Sequence, residues 1–237
     1  MTDGFTDPRL YELGWNEVWE AKRSQTDVPG QPARVVRHDA VKVLVATPRA
    51  VGHVTFSRSE PLAVGDWVLV ANETVTARLE RANVLERDNA DFGTQVIGAN
   101  IDVVFVVFGA DRPLRHRKLM RFVAFAGDIG AVPVVVLTKT DLLDDERPLV
   151  DTIERAVPGV LVLTTSVETG DGIQAVFDEL AGRTGTFIGE SGAGKSSLVN
   201  SLMEEEVAWV SDVRESDAKG RHTTTHRELH RLPGGGL

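Results

Sequence analysis

The sequence predicts an α/β protein in two parts: a small β-barrel, then a mostly parallel sheet covered by helices. Two textures predict it. Between Arg34 and about Arg87, short runs alternate apolar and polar residues with turn residues between them, the pattern of short strands. From Asn100 onward, apolar runs of strand length alternate with stretches of helical periodicity, the spacing of βαβ units. The chain has 237 residues, enough for two modest domains with cores of their own.

Residues 1–32 read as an arm, 33–90 as the barrel and 91–237 as the α/β domain. In the arm, Trp15 and Trp19 stand four apart among polar residues, which predicts a short helix docked by two aromatics. Pro29, Gly30 and Pro32 then break the chain. In the barrel, Val41–Ala46, Val51–Phe56, Trp67–Ala71 and Thr74–Leu79 are strand candidates, with turns at Thr47-Pro48 and Gly65-Asp66. Five or six short strands in about 55 residues suit an OB-fold better than a sandwich.

In the α/β part, Ile101–Phe108 is a continuous apolar run, as in a strand buried on both faces. Helical periodicity over Leu114–Ala126 follows, then a second buried strand at Val132–Leu137. Asp144–Ala156 reads as a helix opened by acidic residues, Val160–Thr164 as a strand and Ile173–Ala181 as a helix. Thr186–Ile188 is a short strand leading into a Gly-rich loop and the helix Lys195–Met203. Glu204–Glu206 reads as a solvated helix end.

Composition excludes several classes. No apolar run reaches the ~18 residues of a membrane helix, and Met1–Leu10 lacks a signal pattern. With no cysteine there is no disulfide framework and no Cys-ligated metal in this chain. Cytoplasm is the expected compartment. The net charge of -9 disfavours generic nucleic-acid binding, because phosphate affinity rests on Lys and Arg. The charge is uneven, however: Ala33–Arg87 holds eight Lys/Arg against six Asp/Glu. Further basic clusters are Arg112, Arg115, Arg117, Lys118 and Arg121, and Arg214, Lys219, Arg221, Arg227 and Arg231. The ordinary reading of each is a solvated face.

The strongest motif is Gly189-Glu190-Ser191-Gly192-Ala193-Gly194-Lys195-Ser196, a match to G-x-x-x-x-G-K-[ST] between a strand and a helix. Its glycines let the backbone curl so that N–H groups face phosphate oxygens, and the following helix adds the partial positive charge of its N-terminus. Lys195 is placed to reach the β- and γ-phosphates, and the Ser196 hydroxyl to ligate Mg²⁺. Ser197, next on the helix, joins the nucleotide-binding set.

Thr138-Lys139-Thr140-Asp141 follows the strand Val132–Leu137, at the edge where ligands of such sheets bind. An Asp there accepts two hydrogen bonds from guanine N1–H and N2–H, a pair that adenine lacks. Asp141 would therefore select GTP over ATP, with the Lys139 stem over the base. Thr138 stands where Asn is commoner and gives up some hydrogen bonds that brace the loop. Ser166-Val167-Glu168-Thr169-Gly170, after the third strand, resembles the loop whose amide touches guanine O6. The order is diagnostic, because here the guanine motif precedes the P-loop by about fifty residues. Surface termini let a permuted chain build the same site.

In this order the chain resembles the circularly permuted P-loop GTPases, and among them the ribosome small-subunit-dependent GTPase A family (RsgA, also YjeQ or EngC). Gly220-Arg221-His222-Thr223-Thr224-Thr225-His226 looks like that family's switch I. Gly65-Asp66-Trp67, Thr94-Gln95-Val96-Ile97 and Leu232-Pro233-Gly234-Gly235-Gly236 add to the likeness, which covers the chain from about residue 30. The resemblance implies a cytoplasmic, monomeric GTPase that uses Mg²⁺ with GTP and is stimulated by the 30S ribosomal subunit late in its maturation. It implies contact with 16S rRNA and no membrane partner. His222 would help the attacking water beside Lys195, and a threonine of Thr223–Thr225, with Thr224 favoured, would ligate Mg²⁺. The family's switch II Asp-x-Pro-Gly and its Cys/His zinc domain have no counterpart here, so the chain reads as truncated, with binding better kept than hydrolysis.

Two rival readings stand beside this one. One is a nucleic-acid-binding OB module with a vestigial nucleotide site; the other is an ATP-dependent enzyme with a fortuitous Thr-Lys-x-Asp. His222, His226 and His230 are spaced by four, as on a metal-binding helix face. A mobile switch loop leading into a strand is the simpler account of them.

Overall fold

The computed structural model describes residues 7–39, 41–57, 59–89, 93–203, 227–232 and 235–237. These divide into two compact units. One holds the described residues up to Asn100, residues 227–231 and Leu237; the other runs from Ile101 to Met203 with Leu232, Gly235 and Gly236. Among the described residues no helix is long and apolar enough to cross a membrane.

The first unit opens with a 3-10 turn, Pro8–Leu13, and helix α1, Glu17–Ser24. The Asn16 side chain caps α1 by accepting from the amides of Val18 and Trp19. Strands β1 (Gln31–Asp39), β2 (Lys42–Ala46), β3 (Val51–Thr55), β4 (Trp67–Ala71) and β5 (Thr74–Arg78) close a barrel in the order β1-β2-β3-β5-β4. Pairs are antiparallel except β3 with β5, so the barrel is OB-like as expected. Closure leaves no free sheet edge.

The tryptophans of the arm belong to the barrel's own core. Trp15 meets fully buried Trp67 edge-on at 4.6 Å, and Trp19 lies 6.2 Å from it. Buried Arg34 stacks over Trp67 at 4.9 Å and donates to the carbonyls of Leu13 and Asn100. Each residue of Gly65-Asp66-Trp67 has a packing reason. Gly65 has φ +90, and a Cβ there would stand 2.2 Å from the Ala99 carbonyl oxygen. The Asp66 carboxylate, fully buried, accepts two bonds from Arg81 at 2.6 and 2.7 Å and one from the Ala63 amide.

The boundaries drawn from sequence at 32/33 and 90/91 do not coincide with the division into units. Strands β6 (Val84–Asn89) and β7 (Gly93–Ala99), for which the sequence pattern gave no strands, pair as a hairpin from Val84↔Ala99 to Asn89↔Gly93. That pairing spans the expected boundary. Residues 227–231 also return to the barrel, where the Leu229 amide donates to Val36 O and Arg231 pairs with Glu12.

The second unit is a four-stranded parallel sheet of β8 (Val103–Gly109), β9 (Val132–Thr138), β10 (Leu161–Thr165) and β11 (Gly185–Gly189), ordered β10-β9-β8-β11. Helix α2 (His116–Asp128) packs on β8 and β9, α3 (Arg147–Ala156) on β10, α4 (Ile173–Leu180) on β10 and α5, and α5 (Lys195–Met203) on β11. One sheet face, with Val103, Phe105, Val107, Val134 and Val136, buries against Ile173, Val176 and Leu180 of α4 and Leu198 and Leu202 of α5. Helix α3 starts later than the acidic run suggested. Pro148 occupies its first turn, and Asp145 stays outside, its side chain accepting from the Arg147 amide.

Candidate nucleotide site

The strand order reverses between β8 and β11, and a crevice at the carboxyl ends of such strands is where ligands enter. Every described motif residue arrives there. Thr138 ends β9, Lys139 to Asp141 follow it, Ser166 follows β10, and Gly189 to Ser197 follow β11 into α5. His222 and Thr224 lie outside the described residues, as do His226, Arg214, Lys219 and Arg221.

The loop Gly189–Lys195 needs its glycines. Gly189, Gly192 and Gly194 have φ of +154, +77 and +86. A Cβ on Gly189 would sit 2.3 Å from Val107 O. The Ala193 amide donates to Glu190 O at 3.3 Å. Lys195 Nζ donates to Glu190 O at 2.6 Å and Gly189 O at 3.1 Å, so the ammonium lies over the loop it follows. Burial pushes the Lys195 amine below its ordinary pKa. Ser196 and Ser197 are exposed on the first turn of α5.

The guanine-type loop is tied to the phosphate-type loop. Thr138 Oγ1 donates to Ala193 O at 2.7 Å, with Phe108 O 3.2 Å away. The brace expected to be weakened by threonine is thus present through its hydroxyl. Lys139, itself in the left-handed region at φ +62, donates to Gly192 O at 2.9 Å. Ser166 Oγ donates to Asp141 Oδ1 at 2.5 Å, joining the ends of β9 and β10, while Thr140 opens a 3-10 turn, Thr140–Leu142.

Sequence reasoning missed the residues that follow β8. Asp111 pairs with Lys139 at 2.8 Å and with Arg112 at 3.1 Å. The guanidinium of Arg112, then the ammonium of Lys139, holds the Asp111 carboxyl far below the usual carboxylate range. Arg112 also donates to Ser191 O and Gly192 O, each at 3.1 Å. Glu190 pairs with Lys118 and with Arg115, the latter at 3.2 Å, and the Lys118 hydrogen bond leads in depressing its pKa. Three members of the basic cluster therefore serve the loop after β11; Arg121 instead stacks over Phe122 at 5.4 Å. The one available signal was position, since Asp111 and Arg112 directly follow a buried parallel strand.

Comparisons with known proteins bear on the family and the fold. The RsgA GTPase family profile matches residues 78–237. A "Small ribosomal subunit biogenesis GTPase RsgA" of Streptomyces avermitilis is 38% identical over 96% of this chain, which spans 66% of that protein. One of the same description from Xanthomonas axonopodis pv. citri is 36% identical, with 99% and 70% covered. The chain thus spans about two-thirds of the length of the curated relatives it matches. Among solved structures, YjeQ from Thermotoga maritima superposes with a TM-score of 0.66 at 24% identity, covering 87% of this chain and 72% of that one. YloQ, described as a circularly permuted GTPase, superposes with a TM-score of 0.58 at 23% identity, covering 75% and 66%. With barrel, sheet order and loop order in place, the chain belongs to the RsgA GTPase family.

Proposed function

We propose that the protein binds GTP and hydrolyses it to GDP and phosphate, acting in late maturation of the 30S ribosomal subunit and stimulated by it. The observation that carries the nucleotide reading is the direct bonding of Thr138 and Lys139 to the carbonyls of Ala193 and Gly192. A guanine-selecting loop and a phosphate-binding loop share one sheet edge. The relatives' description as small ribosomal subunit biogenesis GTPases supports the ribosomal role.

In this reading Asp141 accepts from guanine, with Ser166 orienting its carboxylate and Lys139 and Thr140 completing the loop. Amides of the loop after β11 and Lys195 bind phosphate oxygens and stabilise charge moving onto the β–γ bridge. The Lys195 amine, partly desolvated among carbonyls, gains an anionic partner when phosphate binds. Ser196 presents an exposed hydroxyl at the first turn of α5, a hard oxygen donor of the kind Mg²⁺ takes. Ser196, with Thr224, would hold that ion, which would supply positive charge to neutralise the phosphates. His222 is assigned to the attacking water. The OB-like barrel is assigned to 16S rRNA, the compartment is the cytoplasm and the protein acts as a monomer.

Titration with GTP, GDP and ATP tests the first step. Guanine nucleotides are expected to bind at micromolar concentration and ATP not to. Asp141→Asn should move the preference to xanthine nucleotides, and a wild-type preference for ATP would sink the assignment. Co-sedimentation with 30S subunits, stronger with a non-hydrolysable GTP analogue than with GDP, tests the second step.

A further inference from the structure

We infer that Arg112 is a positioning residue of the phosphate-binding loop, fixing its peptide planes through the carbonyls of Ser191 and Gly192. This rests on the nucleotide reading above. Three consecutive loop carbonyls are each held by a side chain from the neighbouring strand ends. Ser191 O accepts from Arg112, Gly192 O from Arg112 and Lys139, and Ala193 O from Thr138. In a trans peptide the N–H points opposite to the C=O. Fixing the carbonyls of Ser191, Gly192 and Ala193 therefore fixes the amides of Gly192, Ala193 and Gly194. The Ala193 amide, in the same peptide as Gly192 O, donates to Glu190 O within the loop.

Arg112 suits the task for three reasons. Its guanidinium carries several donors in a rigid plane, so it spans two carbonyls where an ammonium makes point contacts. Asp111 holds that plane from behind through Nε and Nη2, each at 3.1 Å. The cation bonds to Ser191 O, the carbonyl end of the peptide whose Gly192 N–H would meet phosphate, and hydrogen bonds in such chains polarise one another in the favourable sense. The same Asp111 carboxylate holds Lys139, so one anion serves both the guanine loop and the phosphate loop. Gly192 takes part as well, since a Cβ there would come within 3.1 Å of Arg112 Nη2.

The test is binding of GDP, GTP and guanosine to the full chain, the last by displacement of fluorescent GDP. Three variants are compared, Arg112→Ala, Arg112→Lys and Asp111→Asn, with thermal unfolding recorded for each. Arg112→Ala is expected to weaken GDP and GTP about tenfold, the scale of one lost charged hydrogen-bond partner, and to leave guanosine within about twofold. Arg112→Lys keeps the charge but not the fork and should recover little. Asp111→Asn should weaken guanosine as well, because Lys139 loses its partner. Unchanged GDP affinity in Arg112→Ala, full recovery by lysine, or equal loss for guanosine would each overturn the role of Arg112. Those outcomes all leave wild-type GDP binding intact; its absence would instead overturn the nucleotide reading itself.

Discussion

Thr138→Val replaces one hydroxyl by a methyl and keeps the branched shape of the side chain. Thr138 is 2% exposed and its proton goes to Ala193 O at 2.7 Å, on a residue 1% exposed. Valine leaves that buried carbonyl without the hydroxyl donor, at a cost of about 1–3 kcal/mol. A chain of this size loses roughly 2–4 °C of melting temperature per kcal/mol, so the midpoint should fall by about 2–12 °C. Thr138→Ser is the control: it keeps the donor and loses one methyl, about 0.8 kcal/mol. Thermal unfolding by circular dichroism compares the three proteins. The damage falls on the loop after β11, so GDP affinity should fall further in the valine variant than in the serine variant. Valine and serine variants that melt together would refute the brace.

Three further outcomes follow from the barrel. Asp66→Ala strands Arg81 and the Ala63 amide and should cost about 3–5 kcal/mol in urea unfolding; a loss under about 1 kcal/mol would contradict the burial argument. Gly65→Ala forces a Cβ against Ala99 O at a positive φ and should destabilise by more than about 1 kcal/mol, read as a lower urea midpoint. Burial pushes the Asp39 carboxyl up, but hydrogen bonds from His53 and Arg37 outweigh it and leave the group below its ordinary value of about 3.9. A depressed pKa adds stability above the unfolded value, lost as pH falls through the folded one. Unfolding free energy should therefore decline below about pH 4, and less steeply in Asp39→Asn; parallel profiles would discount the contribution.

The residues that name the site are local. The glycines of the loop after β11, the lysine and serine opening α5 and the Thr-Lys-x-Asp after β9 are adjacent in the chain, and each answers a short-range need for backbone curl, helix start or strand end. Period-two and buried-run patterns likewise gave β2 to β5 and β8 to β11, because burial on one or two faces writes itself into every second residue or every residue. Strand β1 escaped that logic, and so did two other features. The hairpin β6–β7 carries polar residues and no strong alternation, and its pairing across the expected boundary shows only in the register. Arg34 reads as a solvated charge, yet it is buried over Trp67 between carbonyls from distant segments.

Sequence by itself determined the fold class, the order of the motifs and the chemistry each can offer. Tertiary structure alone decided which groups hold the loop in shape. Arg112 and Ser191 stand 79 residues apart, and Lys139 and Gly192 stand 53 apart. They meet because β8 lies between β9 and β11, and no local pattern records that order. The basic cluster after β8 shows the difference most plainly. Its composition suggests a solvated face, while the sheet turns Arg112, Arg115 and Lys118 toward the carbonyls and the carboxylate of the loop after β11, the one proposed to bind phosphate.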